Sequence, residues 1–212
     1  MIGDIINLEK RHLETAENIY KILGQNNIHT KKWAVGICGE SGSGKSVTAF
    51  ALKKVLEEHG IGSFVIQMDD YFKFPPKTNH ENRQKSFDNI GMHEVQLELI
   101  EGNIKDFKKG SSSIKKPLVH YQNNSVSQEI LDLDDIQVLI IEGTYILSID
   151  EFDFSIFIDR NYKDTYENRI QRNRDEQSEF IEKVLGIEHN IIRQLKEKAD
   201  IVLGKDYQIV KP

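Results

Sequence analysis

Residues 39–46 read Gly-Glu-Ser-Gly-Ser-Gly-Lys-Ser, and this stretch decides the fold. It matches the pattern G-x-x-x-x-G-K-S, in which glycines let the backbone bend until several N–H groups point at phosphate oxygens. The apolar run 33–38 precedes it and predicts a buried strand. Residues 47–59 follow with an apolar stripe and predict a helix that ends at Gly60. Strand, loop and helix together predict a phosphate-binding loop.

Each part of such a loop has its own task. Lys45 is expected to bind the β- and γ-phosphates of a nucleoside triphosphate, and the Ser46 hydroxyl to ligate Mg²⁺. The sequence therefore predicts a bound nucleotide with its magnesium ion. The predicted nucleotide-binding residues of the loop are Gly39, Glu40, Ser41, Gly42, Ser43, Gly44, Lys45, Ser46 and Val47.

Composition excludes several classes of protein. The chain has 212 residues and a net charge of −6, which argues against a general nucleic-acid binder. No apolar run approaches 18 residues, so no membrane-spanning helix is expected. The first residues lack the basic and apolar regions of a signal peptide, and the lone Cys38 cannot form an internal disulfide. We therefore expect a cytoplasmic protein without a membrane or nucleic-acid partner, and a homo-oligomer remains open.

Alternating apolar runs and helical patterns predict an α/β fold of the P-loop NTPase type. The core is expected to be a parallel sheet of about five strands flanked by helices, with a small β-hairpin and a lid appended. The predicted strands are 33–38, 64–68, 136–141, 154–158 and 201–203, and the hairpin lies within 114–133. A helix is expected over 4–23, and a loop of about 20 residues over 71–91, which is a length typical of binding loops.

Two further strands end in carboxylates. Ligands of parallel sheets bind beyond the carboxyl ends of the strands, where Asp69, Asp70 and Glu142 follow their apolar runs. Asp69 is the predicted catalytic base toward an acceptor hydroxyl, and Asp70 is expected to act as a cap or to face solvent. Glu142 is placed to act on Mg²⁺. The predicted metal ligands are Ser46, Asp69 and Glu142.

Three arginines cluster late in the chain. Arg169, Arg172 and Arg174 follow one another at near-helical spacing. Arginine binds phosphate bidentately and stabilises charge in a transition state, so Arg169 and Arg172 are predicted catalytic residues and Arg174 a nucleotide ligand. The same spacing also fits a solvated helix face that pairs with neighbouring acidic residues, and both interpretations stand.

These features together resemble the uridine kinase group within the phosphoribulokinase/uridine kinase family of P-loop kinases. The segments that carry the resemblance are Gly39 to Ser46, Gln67-Met68-Asp69-Asp70-Tyr71-Phe72-Lys73, Ser86-Phe87-Asp88, Ile140-Ile141-Glu142-Gly143, Asp164 to Arg174, and Lys198-Ala199-Asp200-Ile201-Val202-Leu203. They run in the family's order from about residue 33 to 205. The resemblance implies an ATP-dependent kinase that acts on a primary hydroxyl, typically the ribose 5′-OH of a nucleoside such as uridine or cytidine.

The resemblance also implies roles for single residues. The family's base falls on Asp69, and its ribose-binding aspartate on Asp88, with Phe87 near the nucleobase. An aromatic residue of the Tyr71-Phe72 pair, with Tyr71 as the candidate, would line the nucleoside pocket, and the alternative is that Tyr71 and Phe87 pack in the core. The lid over ATP corresponds to the region of Arg169 to Arg174. One kinase domain is then expected over 1–212, with an N-terminal helix in 1–30, a core over 33–205, the substrate-binding loop and hairpin in 71–133, and the lid in 160–180.

The chain departs from the family at the acceptor side. Where uridine kinases usually carry Pro-x-Tyr-Asp-Phe, this sequence reads Pro117-Leu118-Val119-His120-Tyr121. His120 is a candidate substrate contact or a structural histidine. The remaining candidate acceptors are nicotinamide riboside, pantothenate and ribulose 5-phosphate, and the alternative outside catalysis is a nucleotide-binding regulatory protein.

Overall fold

The computed structural model describes residues 6–25, 28, 30–167, 169 and 178–211. Arg172 and Arg174, which carry two of the predicted arginine roles, lie outside the described residues. The described strands are β1 (Trp33–Gly39), β2 (Ser63–Gln67), β3 (Ser113–His120), β4 (Ser125–Asp132), β5 (Val138–Gly143), β6 (Phe154–Ile158), β7 (Ile201–Leu203) and β8 (Ile209–Lys211). The described α-helices are α1 (Lys10–Gln25), α2 (Lys45–Glu58), α3 (Pro76–Lys85), α4 (Leu97–Lys108) and α5 (Glu179–Ile192).

Six strands form the main sheet, in the order β2-β5-β1-β6-β7-β8. The first five are parallel, which confirms the predicted parallel core. Strand β8 pairs antiparallel with β7 at the edge and was not predicted. Strands β3 and β4 form the predicted separate hairpin.

Both faces of the sheet are covered, which is why its strands are continuous apolar runs. In β1, Val35 and Ile37 pack on one face into a cluster with residues of α1 and α2. Ala34 and Cys38 point to the opposite face, into a cluster with residues of α4. Cys38 is a buried core residue, as expected, and burial raises the pKa of its thiol to about 12. Because β1 lies between β5 and β6 in the strand order, its carboxyl end lies near the middle of one edge of the sheet.

The segment 71–91 is not the continuous loop that the sequence suggested. It contains α3, whose sequence Pro-Lys-Thr-Asn-His-Glu-Asn-Arg-Gln-Lys has no apolar stripe that would predict a helix. Pro76 begins the helix at a position where proline is favoured. The Lys77 N–H, which has no partner within the helix, donates to Asn124 Oδ1 of the hairpin at 2.8 Å. Polar contacts rather than an apolar face therefore hold α3 in place.

The first helix also differs from its prediction. Residues 6–9 are irregular, so α1 begins at Lys10 and continues to Gln25. Ile19 and Leu23 are fully buried against the α2 side of the core. Within the described part of the chain, no helix has both the length and the apolar character needed to cross a membrane.

Candidate active site

The phosphate loop joins β1 to α2 in a tight turn. Gly42 (φ 74°) and Gly44 (φ 104°) adopt the left-handed region that favours glycine. A Cβ on Gly44 would also collide with the Tyr207 hydroxyl, so the outer side of the loop is packed. The Lys45 ammonium donates to the carbonyl oxygen of Glu40 at 3.0 Å, across the mouth of the loop. The loop thus presents a lysine and the N-terminus of α2, which together suit a phosphate group.

Strand β5 delivers Glu142 to the same edge of the sheet. Its register pairs Ile37 of β1 with Glu142, and Gln67 of β2 lies on its other side. The buried Glu142 carboxylate accepts a hydrogen bond from Ser46 Oγ at 2.7 Å and one from Gln67 Nε2 at 3.3 Å. A hydroxyl next to a carboxylate is an all-oxygen donor set of the kind that Mg²⁺ prefers. Ser46 and Glu142 therefore fit the expected metal.

Asp69 follows β2 in a short 3-10 turn, Met68–Tyr71. Loss of solvent contact, with a further contribution from the negative charge of Glu142, raises the pKa of Asp69 to about 6, while Lys45 opposes the shift. Gln67, two residues before Asp69, pairs in register with Glu142 and donates to its carboxylate at 3.3 Å, so Asp69 follows β2 at the same edge of the sheet. A carboxylate with a raised pKa in such a cleft is suited to accept a proton.

The neighbouring Asp70 has a structural environment. Its buried carboxylate accepts a hydrogen bond from Lys116 Nζ at 2.9 Å and one from the backbone N–H of Val119 at 3.1 Å. Lys116 is itself buried and also pairs with Glu129 at 2.7 Å. The sequence suggested that Asp70 would act as a cap or face solvent, and it does neither. It anchors the β3–β4 hairpin to the end of β2.

Replacing Asp70 with asparagine is expected to lower stability rather than to alter catalysis directly. The change leaves the buried Lys116 with less compensating charge, which costs about 3 kcal/mol. For a chain of this size the melting temperature should fall by roughly 6–12 °C. Thermal unfolding followed by circular dichroism measures the change, with Asp134→Asn at an exposed carboxylate as the control. Equal melting temperatures for the two variants would contradict the anchoring role.

The predicted acceptor-binding residues do not all reach the cleft. Tyr71 is fully buried in the core, where its hydroxyl accepts a hydrogen bond from Asn103 Nδ2 at 2.8 Å. This position makes it a packing residue, and burial raises the pKa of its hydroxyl. His120 lies at the end of β3, with its Nε2 2.7 Å from the hydroxyl of Ser127 on the facing strand.

Phe87 and Asp88 remain accessible. The Phe87 ring is 41% exposed and stacks on Phe180 of α5 with the ring centroids 5.7 Å apart. Asp88 is exposed, and its carboxylate accepts a hydrogen bond from the Ser86 hydroxyl at 3.1 Å. An aromatic face and a free carboxylate edge therefore lie side by side between α3 and α5.

Arg169 packs directly on the phosphate loop. The Cβ that a side chain at Gly42 would carry lies 2.9 Å from Arg169 Cγ. The Arg169 guanidinium donates to the carbonyl oxygen of Tyr162 at 3.1 Å and to Glu182 at 3.2 Å, and its buried Nε has no partner in the described part of the chain. Arg169 therefore lies against the phosphate loop and also pairs with an acidic residue, and its catalytic role remains a prediction.

Three positions in the site were missed by the sequence analysis. Arg160 follows β6 and donates to the Tyr207 hydroxyl at 2.8 Å and to the Ser43 carbonyl of the phosphate loop at 3.4 Å. Because Arg160 follows the carboxyl end of a parallel strand, its contact with the phosphate loop could have been predicted from the sequence. The pairing of Arg83 with Glu188 gave no such signal, because the two residues lie 105 positions apart in the chain.

Arg83 is the centre of a buried polar cluster between α3 and α5. Its guanidinium binds Glu94 through two hydrogen bonds, of 2.6 and 2.9 Å, and Glu188 through one of 2.9 Å. Burial raises the pKa of Glu188, although Arg83 opposes the shift. The buried hydroxyl of Tyr145 has no hydrogen-bond partner among the described residues. This cluster links α3 to α5 beside the exposed Phe87 and Asp88.

The model of the phosphoribulokinase/uridine kinase family matches residues 34–202, which include every strand of the site. The chain belongs to this family. The match spans β1 through most of β7, so the phosphate loop, both strand-end carboxylates and the Arg83 cluster all lie inside the family's domain.

Relatives within the family differ in their acceptors. The chain is 30% identical over 186 residues to the bifunctional alpha-galactosidase/sucrose kinase of Mediterraneibacter gnavus, a match that covers 81% of this chain and 20% of that protein. The chain thus spans about a fifth of the length of this relative. It is 27% identical over 189 residues to a uridine kinase of Staphylococcus epidermidis, covering 84% of this chain and 86% of the relative.

A solved structure of the family has the same fold. A possible uridine kinase from Bacillus stearothermophilus superposes with a TM-score of 0.65 at 22% identity, covering 89% of this chain and 97% of the other. The fold is therefore that of the P-loop kinases, as the sequence predicted.

Proposed function

We propose that the protein is a kinase that transfers the γ-phosphoryl group of ATP to a hydroxyl group of a small molecule. The observation that carries the proposal is the meeting of three strand ends: the phosphate loop after β1, Asp69 after β2 and Glu142 in β5. Phosphoryl transfer needs phosphate binding, a metal site and a carboxylate toward the attacking hydroxyl, and these three elements supply them.

Each residue has a defined task in this reaction. Lys45 exchanges the carbonyl oxygen of Glu40 for phosphate oxygens when ATP binds. Ser46 and Glu142 would hold Mg²⁺, whose charge would balance the negative charge that develops on the phosphates. Asp69 orients the acceptor hydroxyl and takes its proton. A pKa of about 6 keeps Asp69 largely ionised, and therefore able to accept a proton, above that pH.

The acceptor that we favour is a nucleoside, with the 5′-OH of uridine or cytidine as the reacting group. Phe87 offers an exposed ring for stacking on a base, and Asp88 offers a carboxylate that can accept hydrogen bonds from a ribose diol. The likeness to the uridine kinase of Staphylococcus epidermidis supports this choice.

A sugar hydroxyl is the second candidate acceptor. The relative with 30% identity carries a sucrose kinase activity in its name. The same exposed aromatic ring and carboxylate would also suit a sugar, because pyranose faces stack on aromatic rings and their hydroxyls donate to carboxylates. In addition, Val119 is buried where uridine kinases usually place a tyrosine, so it offers no aromatic contact to a base.

A coupled assay of ADP release across defined acceptors tests the proposal. The panel comprises uridine, cytidine, nicotinamide riboside, pantothenate, ribulose 5-phosphate, sucrose and fructose, each with MgATP. Turnover that requires uridine or cytidine supports the nucleoside assignment, and turnover that requires sucrose or fructose supports the sugar. ADP release that no member of the panel stimulates would favour a nucleotide-binding regulatory protein.

Replacing Asp88 with alanine is expected to raise KM for the accepted substrate by about 10-fold or more, because a carboxylate that accepts two hydroxyl hydrogen bonds is lost. KM for ATP should change by less than about twofold, since Asp88 lies on the acceptor side. Steady-state kinetics in both substrates measure the two constants, with Asp134→Ala as a surface control. An unchanged acceptor KM would remove Asp88 from the site.

A further inference from the structure

Glu40 is an unusual feature of the phosphate loop, because its carboxylate is buried in a loop that must accept a polyanion. Only 6% of the residue is exposed. One carboxylate oxygen accepts a hydrogen bond from the backbone N–H of Tyr162 at 2.7 Å, and the other lies 2.6 Å from Nδ1 of His189 on α5. Within the described residues these are the two donors to this carboxylate. A buried carboxylate is stable only when donors satisfy it.

The backbone of Glu40 has a second task in the same loop. Its carbonyl oxygen accepts the hydrogen bond from Lys45, the cation expected to bind phosphate. Glu40 therefore contributes to the loop both a carbonyl contact with Lys45 and a buried negative charge.

The helix α5 joins this loop to the Arg83 cluster. His189 contacts Glu40, and the preceding residue, Glu188, pairs with Arg83 of α3 at 2.9 Å. The His189 ring also lies edge-on to the Tyr162 ring, with the centroids 5.8 Å apart. Two consecutive residues of α5 thus contact the phosphate loop and Arg83.

We propose that His189 is a positioning residue for nucleotide binding: its ring holds the Glu40 carboxylate away from the bound phosphates and keeps the phosphate loop in its binding conformation. Without this donor, the carboxylate is left with the Tyr162 N–H alone and repels the phosphates of ATP. The proposal rests on the proposed function only in taking MgATP as the ligand of the loop.

The test is the dissociation constant of MgATP, measured by isothermal titration calorimetry on the full chain. His189→Ala is expected to weaken MgATP binding at least 10-fold. His189→Asn, which retains a side-chain N–H near the position of Nδ1, should recover most of the affinity. His59→Ala is the matched control, because His59 pairs with Glu17 at 3.6 Å at the far end of α2, and it should bind MgATP as the wild type does.

A second substitution separates the charge of Glu40 from simple loss of packing. Glu40→Gln removes the negative charge and keeps the shape, so in the His189→Ala background it should restore MgATP affinity to within threefold of Glu40→Gln alone. If His189→Ala weakened binding through lost packing of α5, Glu40→Gln would not restore the MgATP affinity. Wild-type affinity in His189→Ala, or no rescue by Glu40→Gln, would overturn the proposal. If the wild type itself failed to bind MgATP, that result would contradict the proposed function rather than the role of His189 alone.

Discussion

Replacing Lys45 with alanine is expected to reduce ATP-dependent phosphorylation to background, a loss of roughly 10³-fold or more in kcat/KM. In the proposed function, the ammonium is the cation of the phosphate loop that binds the phosphates of ATP. Its hydrogen bond in the structure, to the Glu40 carbonyl, is one that the fold can lose at little cost. The folded state should therefore persist while the reaction stops.

The measurement is steady-state turnover together with thermal unfolding of the same preparation. Lys54→Ala is a suitable control, because Lys54 lies on the exposed side of α2 and pairs only with Glu58 among the described residues, at 3.9 Å. It should retain full activity. Full activity in Lys45→Ala would contradict the role given to the whole phosphate loop.

The second large effect is expected for Asp69→Asn, which should lower kcat by about 10²- to 10⁴-fold. Asparagine keeps the size of the side chain and removes its ability to take the proton of the acceptor hydroxyl. The dissociation constant for MgATP should stay within about threefold of the wild type, because the phosphate loop and the Ser46–Glu142 pair are unchanged. Rapid-quench kinetics and calorimetry separate the two quantities.

Asp70→Asn provides the internal comparison for Asp69. The two carboxylates are adjacent in sequence, and only Asp70 is fully engaged by Lys116 and the Val119 N–H. Asp70→Asn should therefore lose stability and keep most of its kcat at a temperature where it is folded. If Asp70→Asn lost kcat while Asp69→Asn retained it, the catalytic base would have been assigned to the wrong residue.

Local patterns in the sequence were sufficient to predict the parts of the site that follow strand ends. The loop at 39–46, Asp69 and Glu142 each come directly after an apolar run, and parallel strands bring such positions to one edge. The five parallel strands and the hairpin were predicted on the same basis. The roles of these residues in catalysis remain predictions until variants are measured.

Contacts between distant segments could not be predicted in this way. The helix α3 has no apolar periodicity, and the contacts that Asn79 and Arg83 make with Glu94 become visible only once the chain is folded. The ion pair of Asp70 with Lys116 spans 46 positions, and the contact of Glu40 with His189 spans 149. Tyr71 was predicted to line the pocket, but tertiary packing placed it in the core.

The most direct test of the central claim follows the γ-phosphoryl group of ATP itself. The protein is incubated with MgATP labelled in the γ-phosphoryl group and with each acceptor of the panel, and the labelled products are separated and identified by mass spectrometry. We predict that the label appears as a phosphate ester on a hydroxyl of one acceptor, and that Lys45→Ala and Asp69→Asn suppress it. Label recovered only as inorganic phosphate, whichever acceptor is present, would contradict the assignment of this site to phosphoryl transfer onto an alcohol.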